Sequence, residues 1–310
     1  MTGSPPLIVV AGATATGKTE LGIRLGETYL AAGRPAVVIS ADSRQVYRGL
    51  DIGTAKVGER DRARVPHRGL DLVDPDQPFS VVDFVAHARE VLGEVAAAGG
   101  VALLVGGTGL YLRAVGRGLD TTRLPHDPAI RARLEDQLLF EGLPSLVERL
   151  RRLAPGRAAT IDLDNPRRVV RALEIAEIQG DAPLPERRGY PGPIAWIGLS
   201  VAPERHRAWI AARARAQFDS GLLDEADGLR RRFDPDLPAF SAIGYREAWA
   251  VLDGTLTLEA AIELDARRNL AFARRQRTWF RSEPDIPWLD AEDPGLVTAA
   301  RTLARRATGG

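Results

Sequence analysis

The stretch GATATGKT, residues 12–19, has the G-x-x-x-x-G-K-T spacing of a phosphate-binding loop. An apolar, β-branched run, LIVVAGA (7–13), precedes it, and GKTELGIRLGETYLAA, which has helical spacing, follows from its last residues. Strand, loop and helix in this order are the context that the motif requires. We therefore expect backbone amides to surround phosphate oxygens, with the Thr19 hydroxyl ligating Mg²⁺. The predicted phosphate-binding residues are Gly12, Ala13, Thr14, Ala15, Thr16, Gly17, Lys18 and Thr19.

Further apolar runs alternate with helical patterns along the chain. The predicted strands are AVVIS (36–40), VALLVGG (101–107), AWIGLSV (195–201) and, more weakly, PWLD (287–290). Continuous apolar strands separated by helices indicate a parallel sheet that is covered on both faces. Together with the loop, they predict an α/β fold: a P-loop NTPase-like parallel sheet core.

The pattern changes to helices without strands between residues 121 and 192. Asp127-Pro128 and Asn165-Pro166 each place a capping residue before a proline at the first helical position, and Gly180 ends the second of these helices. Residues 180–193, rich in Pro and Gly, resemble a return linker. We predict a helical insertion domain at 121–192, within a core formed by 1–120 and 193–310 with C-terminal helices.

Composition excludes several function classes. The chain has no cysteine, which removes disulfides, thiolate nucleophiles and zinc–thiolate sites. Its four histidines lack metal-ligand spacing, and we interpret them as surface or local structural residues. A net charge of +1 means that any nucleic-acid binding must come from local patches. With no signal peptide pattern and no run of 18 apolar residues, we expect a cytoplasmic protein without a membrane span.

The segment ADSRQVYRGLDIGTAK (41–56) follows the second predicted strand. Ligands of open parallel sheets bind at the carboxyl ends of strands, so Asp42 is a candidate general base or magnesium-linked group. A cap formed by Asp42 and Ser43 is the alternative. Of the 42 basic residues only Lys18 and Lys56 are lysines. Because Lys56 ends this same segment, we favour a functional interpretation.

The third strand runs into GGTGLY (106–111) and has no acid at its end. Nucleotide hydrolases usually carry an aspartate there that helps to hold magnesium, so its absence disfavours an ordinary ATPase or GTPase. It does not exclude a small-molecule kinase. The glycines let the backbone approach a ligand closely, and Thr108 can donate a hydrogen bond to a leaving-group oxygen. A plain strand-to-helix turn is the alternative.

The segment ARRQRTWFR (273–281) lies in a helical pattern that starts near residue 257. Between residues 266 and 282 there are six arginines and no acid. Arginine beside Trp279 suits phosphate contact and base stacking, while a solvated helix face is the alternative. PRRVVRALEI (166–175) and SAIGYREAW (241–249) are weaker signals, each more often structural when taken alone.

Six segments taken together resemble the tRNA dimethylallyltransferase (tRNA isopentenyltransferase) family. They are GATATGKT, ADSRQVYRGLDIGTAK, GGTGLY, NPRRVVRALE, AIGYREAW and RRQRTWFR, in that order, and they run from residue 12 to residue 281. The phosphate loop is shared with many enzymes, whereas the second and third segments are far more specific. Two positions depart from the pattern: Arg274 stands where Lys is frequent, and Val57 where Pro is common.

The resemblance implies transfer of a dimethylallyl group from dimethylallyl diphosphate to N6 of the adenosine 3′ of the anticodon in tRNA. The loop at 12–19 would then hold the diphosphate with Mg²⁺ rather than ATP. Asp42 is similar to the family's general base, and Thr108 to its contact with the bridging oxygen of the diphosphate. The helical insertion would hold the tRNA anticodon stem-loop, and we expect a monomer.

The same resemblance implies a set of tRNA-binding residues spread over five segments. They are Asp42, Ser43, Arg44, Gln45, Arg131, Arg167, Arg168, Arg171, Ser241, Ala242, Ile243, Gly244, Tyr245, Arg246, Arg274, Arg275, Gln276, Arg277, Thr278, Trp279, Phe280 and Arg281.

Three other functions compete with this one. A small-molecule kinase of the shikimate or nucleoside monophosphate type explains the loop and Asp42 but leaves the arginine segment without a role. An adenylate isopentenyltransferase acts on free AMP, which the helical insertion and basic segments disfavour. A nucleic-acid-binding ATPase is disfavoured by the missing acid.

Overall fold

The computed structural model describes residues 3–119, 125–183 and 188–308, and the strands within them form one sheet. The strands are β1 (Leu7–Gly12), β2 (Ala36–Ser40), β3 (His67–Arg68), β4 (Val101–Gly106), β5 (Ile194–Ser200) and β6 (Trp288–Asp290). Their order is β3-β2-β4-β1-β5-β6, and every neighbouring pair is parallel. The predicted α/β fold with a parallel sheet is therefore confirmed.

The helices of the described residues precede, follow or connect these strands. They are α1 (Lys18–Ala31), α2 (Glu59–Arg64), α3 (Val81–Ala97), α4 (Gly109–Gly116), α5 (Pro128–Glu141), α6 (Leu143–Leu153), α7 (Pro155–Ala158), α8 (Pro166–Gln179), α9 (Pro203–Asp219), α10 (Leu222–Arg230), α11 (Tyr245–Leu252), α12 (Leu258–Arg281) and α13 (Leu296–Thr308). A 3₁₀ turn at Pro238–Ser241 precedes α11.

Strand β1 shows why continuous apolar runs predict this sheet. Its side chains alternate between two cores: Leu7, Val9 and Ala11 pack on one face, while Ile8 and Val10 pack on the other. Successive side chains of a strand point to opposite faces, so a strand covered on both sides must be apolar throughout. All six residues of β1 are buried.

All five strands predicted from the sequence exist, each within one residue at either end. The sequence analysis missed β3, which pairs with β2 through His67 and Arg68. Those two residues carry no apolar run and their side chains are not buried. They form a strand only because they pair with β2, and no local sequence pattern indicates that pairing.

The order of the strands brings three loops to one edge of the sheet. Strand β1 lies between β4 and β5, and β4 lies between β1 and β2. Parallel strands end at the same edge, so residues after Gly12, Ser40 and Gly106 meet there. These are the phosphate loop, the Asp42 segment and the Thr108 segment.

The chain divides into two compact units. One consists of Met1–Leu119 with Arg188–Gly310, and the other, called the helical unit below, is Asp120–Arg187. The helical unit has its own core, in which Leu134, Leu146, Leu150 and Leu173 are almost fully buried. The predicted boundary at 120/121 and residues 184–187 of the predicted linker lie outside the described residues.

The predicted helix ends in the helical unit are confirmed by their capping geometry. Asp127 Oδ1 accepts hydrogen bonds from the Ala129 and Ile130 amides at the start of α5, at 2.8 and 3.2 Å. Asn165 Oδ1 accepts from the Arg168 amide at the start of α8, at 3.3 Å. Gly180 ends α8 with φ of 69°.

A search of the described helices for a span that could cross a membrane finds none of sufficient length and apolarity.

Candidate active site

The phosphate loop turns between β1 and α1, in the strand, loop and helix order that the sequence predicts. Gly17 caps α1 with φ of 79°, in the left-handed region that glycine adopts without strain. Ala15, which is not a glycine, also has a positive φ of 56°. The Thr16 hydroxyl donates to the Ala13 carbonyl at 2.9 Å, within the loop itself. The loop is therefore a tight turn that its surroundings must hold in place.

Lys18 is the cation of the loop. Its Nζ donates to the Ala13 carbonyl at 2.6 Å. Burial and, to a smaller extent, the nearby Arg213 cation lower the pKa of Lys18 to about 8, although Asp42 opposes the shift. An anion bound in the loop would favour the charged form, so Lys18 is suited to respond to a phosphate group.

Asp42 and Thr108 follow adjacent strands and are connected by hydrogen bonds. Thr108 Oγ1 accepts from the Ser43 amide at 3.0 Å, and the Thr108 amide donates to the Ala41 carbonyl at 3.1 Å. Asp42 Oδ1 accepts from the Arg44 amide at 2.8 Å. No other hydrogen bond to this carboxylate is made within the described residues, so Oδ2 is available.

A cavity of about 700 Å³ joins these groups. It is lined by residues of the phosphate loop, the ends of β2 and β4, the 241–243 segment and helix α12. Lys18, Thr19, Asp42 and Thr108 all face it. The structure therefore brings the predicted catalytic and phosphate-binding groups into one site.

The glycines after β4 are required by protein contacts, and Gly107 also lines the cavity. A Cβ on Gly107 would lie 2.4 Å from Gln276 Nε2, and one on Gly109 would lie 2.1 Å from Trp279 Nε1. Both partners belong to α12. Glycine is required here because the helix packs directly on this turn.

Helix α12 divides the predicted arginine segment between its inner and outer sides. Gln276 is buried: its Oε1 accepts from the Thr14 amide at 2.7 Å and its Nε2 donates to the Gly107 carbonyl at 2.9 Å. Phe280 is 1% exposed and belongs to the core. The structure thus contradicts direct tRNA contact by the Phe280 side chain, whereas Gln276, although buried, lines the cavity. Arg274, Arg275, Thr278 and Arg281 are exposed.

Arg277 and Trp279 are also engaged inside the protein. Arg277 Nη1 lies 3.0 Å from His206 Nδ1. The Arg113 guanidinium lies 4.2 Å from the centre of the Trp279 ring, and the buried indole Nε1 has no partner in the described part of the chain. Trp279 is half-buried, so the predicted base stacking finds one side of the ring already covered.

His206 corrects our interpretation of the histidines as surface or local structural residues. It is 2% exposed, and its Nε2 lies 2.7 Å from the carbonyl oxygen of Thr14 in the phosphate loop. Burial is the main cause that lowers the pKa of His206, and the cations Arg277, Lys18 and Arg213 add to it against the Thr14 hydrogen bond. The residue comes from α9, far from the loop in sequence.

The 41–45 and 241–246 segments both contribute residues to the lining of the cavity. Arg44 Nη1 donates to the Pro238 carbonyl at 2.8 Å, and Gln45 Nε2 donates to the Thr54 carbonyl at 3.1 Å. Ser43, Ser241, Ala242 and Ile243 line the cavity. The Tyr245 side chain is fully buried and its hydroxyl donates to Glu225 at 2.7 Å, which contradicts a surface role. Gly244 is buried as well, while Arg246 is exposed.

Sequence reasoning missed Arg213 of α9, one of several cations that line the cavity. Arg213 Nη2 donates to Asn269 Oδ1 at 3.0 Å, and Asn269 Nδ2 donates to Asp265 Oδ1 at 2.8 Å. Burial raises the pKa of Asp265 to about 6, although the Asn269 hydrogen bond opposes this. Arginine recurs throughout α9, so no local signal separates Arg213 from its neighbours.

Lys56 has a structural role and does not line the cavity. Its side chain is 1% exposed, and its Nζ donates to Asp51 and Asp71, both at 2.6 Å, and to the Tyr47 carbonyl at 2.8 Å. Of the two lysines, Lys18 is therefore a candidate phosphate ligand and Lys56 is the centre of a buried ion-pair cluster.

The arginines predicted in the helical unit differ in their exposure and partners. Arg131 and Arg171 donate to Glu174 Oε2, at 2.5 and 2.7 Å. Arg167 and Arg168 are exposed at the start of α8, and Arg168 lies 3.9 Å from Asp162. Two of the four are therefore neutralised by a carboxylate.

The phosphate loop, the Asp42 carboxylate and the cations Lys18 and Arg213 line one cavity on a parallel sheet, which is the arrangement of an enzyme of the P-loop fold. Comparison with known proteins specifies the class. The family model of IPP transferase matches residues 45–283. The chain belongs to the tRNA dimethylallyltransferase (IPP transferase) family and is an enzyme of it.

Individual relatives match over nearly the full length. The chain is 42% identical to a tRNA dimethylallyltransferase of Roseiflexus sp. strain RS-1 over 305 residues, 97% of this chain and 98% of the relative. It is similar to the crystal structure of the full-length tRNA isopentenylpyrophosphate transferase of Bacillus halodurans, with 36% identity and a TM-score of 0.70. That match covers 98% of this chain and 96% of the other.

A eukaryotic dimethylallyltransferase structure, described as acting on tRNA, has a TM-score of 0.74 at 23% identity and covers 96% of this chain and 78% of the other. This likeness shows the fold alone.

Proposed function

We propose that the enzyme transfers a dimethylallyl group from dimethylallyl diphosphate to N6 of the adenosine 3′ of the anticodon in tRNA. The observation that carries this is the single cavity in which Asp42 and Thr108 face the phosphate loop. Family membership supports the prenyl transfer.

Asp42 is the proposed general base. The exocyclic nitrogen of adenine is a poor nucleophile, because its lone pair is delocalised into the ring. As the new N6–C bond forms and the allylic C–O bond breaks, the N6 proton passes to the Asp42 carboxylate. The Arg44 amide occupies Oδ1 and orients the carboxylate, while Oδ2 has no hydrogen bond in the described residues. This arrangement supports Oδ2 as the proton acceptor.

Thr108 is proposed to contact the bridging oxygen of the departing diphosphate. Its Oγ1 already accepts from the Ser43 amide at 3.0 Å, so its own hydroxyl hydrogen is available for donation. A hydrogen bond to the bridging oxygen would strengthen as negative charge develops on the leaving group. The same argument applies to Lys18 and Arg213, two half-buried cations that line the cavity.

The site fits a magnesium ion that is shared with the substrate. Thr19 lines the cavity together with Asp42. The described residues hold no cluster of three or more His, Cys, Asp or Glu side chains that could bind a metal alone. Mg²⁺ commonly uses one or two protein ligands plus substrate phosphates and water. When bound, it would offset charge on the diphosphate; Thr19 is the proposed ligand.

For tRNA binding we propose the exposed residues around the cavity and the helical unit. Arg274, Arg275 and Arg281 of α12 and Arg246 are exposed cations that suit backbone phosphates. Ser43, Arg44, Gln45 and the 241–243 segment line the cavity that the target base must enter after unstacking. The helical unit, with Arg167 and Arg168 exposed, is proposed to hold the anticodon stem.

The direct test incubates the purified protein with Mg²⁺, labelled dimethylallyl diphosphate and an unmodified tRNA anticodon stem-loop. We expect the label on the adenosine 3′ of the anticodon, read by mass spectrometry of the digested RNA. A matched stem-loop with another base at that position should stay unlabelled. Phosphate transfer from ATP to a small metabolite, with no label reaching RNA, would overturn the proposal.

Asp42→Asn tests the general base without disturbing the loop. Asparagine keeps an oxygen for the Arg44 amide but cannot take the proton at N6. We expect kcat to fall about 10²- to 10⁴-fold while tRNA affinity stays within about twofold. Retained turnover with lost tRNA binding would show that Asp42 serves recognition instead.

A further inference from the structure

The buried His206 connects the phosphate loop to helix α12. His206 Nε2 lies 2.7 Å from the Thr14 carbonyl oxygen, and Arg277 Nη1 lies 3.0 Å from His206 Nδ1. The three residues come from the loop, α9 and α12. The sequence analysis did not predict these contacts for any of the three residues, and no step of the proposed reaction uses His206.

The chemistry of the partners determines which nitrogen of His206 carries the proton. Arginine can only donate, so Nδ1 must accept from Arg277. The proton of the neutral ring is then on Nε2, which donates to the Thr14 carbonyl. A doubly protonated ring would place an N–H against the Arg277 guanidinium, with Lys18 and Arg213 as further nearby cations. The link therefore requires the neutral Nε2–H tautomer.

Thr14 is held through both of its backbone polar groups. Its amide donates to Gln276 Oε1 at 2.7 Å, and its carbonyl accepts from His206. The next residue, Ala15, has φ of 56°, which is unfavourable for a residue with a Cβ. Such strain persists only where the surroundings hold it, and the two contacts to Thr14 are the adjacent restraints.

We propose that His206 is a positioning residue, which holds the phosphate loop through the Thr14 carbonyl in the conformation that receives the diphosphate. The contacts from Arg277 to His206 and from His206 to Thr14 are called the brace below. Within the brace, Arg277 orients the imidazole and does not contact tRNA. The inference rests on the proposed function insofar as the loop ligand is a diphosphate. His206 acts on the ligand only through Thr14.

Two substitutions at His206 separate positioning from packing. His206→Leu removes both hydrogen bonds at similar volume, whereas His206→Gln offers an N–H to Thr14 and an oxygen to Arg277. Binding of inorganic diphosphate with Mg²⁺ is measured by calorimetry. We expect His206→Leu to raise its Kd and the KM for dimethylallyl diphosphate about five- to tenfold, with the tRNA KM unchanged. We expect His206→Gln to restore both to within about threefold.

Arg277→Gln provides the matched test on the other end of the brace. It should weaken diphosphate binding while leaving the salt dependence of tRNA binding unchanged. An unchanged diphosphate Kd in His206→Leu overturns the brace. A loss of tRNA salt dependence in Arg277→Gln overturns the role assigned to Arg277.

The wild-type protein offers a readout that needs no variant to fold. The ¹⁵N shifts of His206 at neutral pH should show the Nε2–H tautomer, and an Nδ1–H tautomer or an imidazolium overturns the proposal. These measurements do not depend on tRNA. If no label reaches tRNA but diphosphate binding depends on His206, the proposed function fails while the brace stands; a wild type that binds no diphosphate overturns both.

Discussion

The arginines of helix α12 and those of the helical unit look alike in sequence and differ in their partners. In the helical unit, Arg131 and Arg171 share the fully buried Glu174. Another pair, Arg133 and Arg149, shares Glu177. On α12, Arg274, Arg275 and Arg281 are exposed and have no carboxylate partner among the described residues.

The difference teaches that arginine density alone does not identify a surface for RNA. An arginine that neutralises a buried carboxylate stabilises the fold, and its charge is already balanced. An arginine without a partner keeps its charge for phosphate. The partners decide, and a partner can lie far along the chain: Glu174 is 43 residues from Arg131. The predictions below test this division, from the largest expected effect to the smallest.

Removing Glu174 should destabilise the helical unit most. Glu174→Gln removes the charge that four donors share: His126, the Asp127 amide, Arg131 and Arg171. We expect a loss of about 3 kcal/mol in the free energy of unfolding, near the lower end for broken buried pairs, because the arginines can turn to solvent. Denaturant unfolding measures it.

The matched control is Glu148→Gln, on the exposed side of α6, which should change stability by less than about 0.5 kcal/mol. Equal effects of the two substitutions would contradict the distinction between paired and unpaired regions.

Acid should weaken the same cluster in a defined pH window. Burial by itself raises the pKa of Glu174, but hydrogen bonds from Arg171, Arg131, the Asp127 amide and His126 outweigh it and hold the pKa at about 2. A folded pKa below the unfolded value of 4.5 contributes stability above that value, and this is lost as pH falls towards 2. Melting temperatures of wild type and Glu174→Gln should therefore converge between about pH 4.5 and 2. A constant difference across this window would show that the carboxylate charge is irrelevant.

The unpaired arginines should matter for tRNA rather than for stability. Arg274→Gln with Arg281→Gln should raise the tRNA KM roughly tenfold and reduce the slope of log affinity against log salt by about 1 to 2. Thermal stability should stay near wild type. As a control, Arg131→Gln should lower stability with little change in the salt slope; the reverse pattern would break the comparison.

The smallest effect is expected for Arg168, which is intermediate between the paired and the unpaired arginines. Arg168 lies 3.9 Å from Asp162, and both side chains are about half exposed. Such surface pairs contribute about 0–1 kcal/mol, so Arg168→Ala should leave the free energy of unfolding within about 0.5 kcal/mol. A weaker tRNA affinity in this variant, measured by filter binding, would place Arg168 with the unpaired arginines. A clear loss of stability would place it with the paired ones.

The sequence alone determined five of the six strands of the sheet, the phosphate loop and the helix caps of the helical unit. These depend on local rules: a strand buried on both faces must be apolar, a tight turn needs glycine at residue 17, and a helix start needs an acceptor such as Asp127 or Asn165. Each rule is satisfied within a few residues, so a local pattern contains it. The resemblance in six segments further predicted the family, which the comparisons confirmed.

Only the tertiary structure decided which polar side chains face the cavity. Lys18 and Lys56 are the two lysines of the sequence, and their rarity did not distinguish them. Lys18 lines the cavity, whereas Lys56 is surrounded by Asp51, Asp71 and the Tyr47 carbonyl. Gln276 and His206 reach the phosphate loop from helices more than 190 residues away along the chain. Hydrogen-bond partners and desolvation depend on what lies within a few ångströms in space, and the order of residues along the chain does not encode that distance.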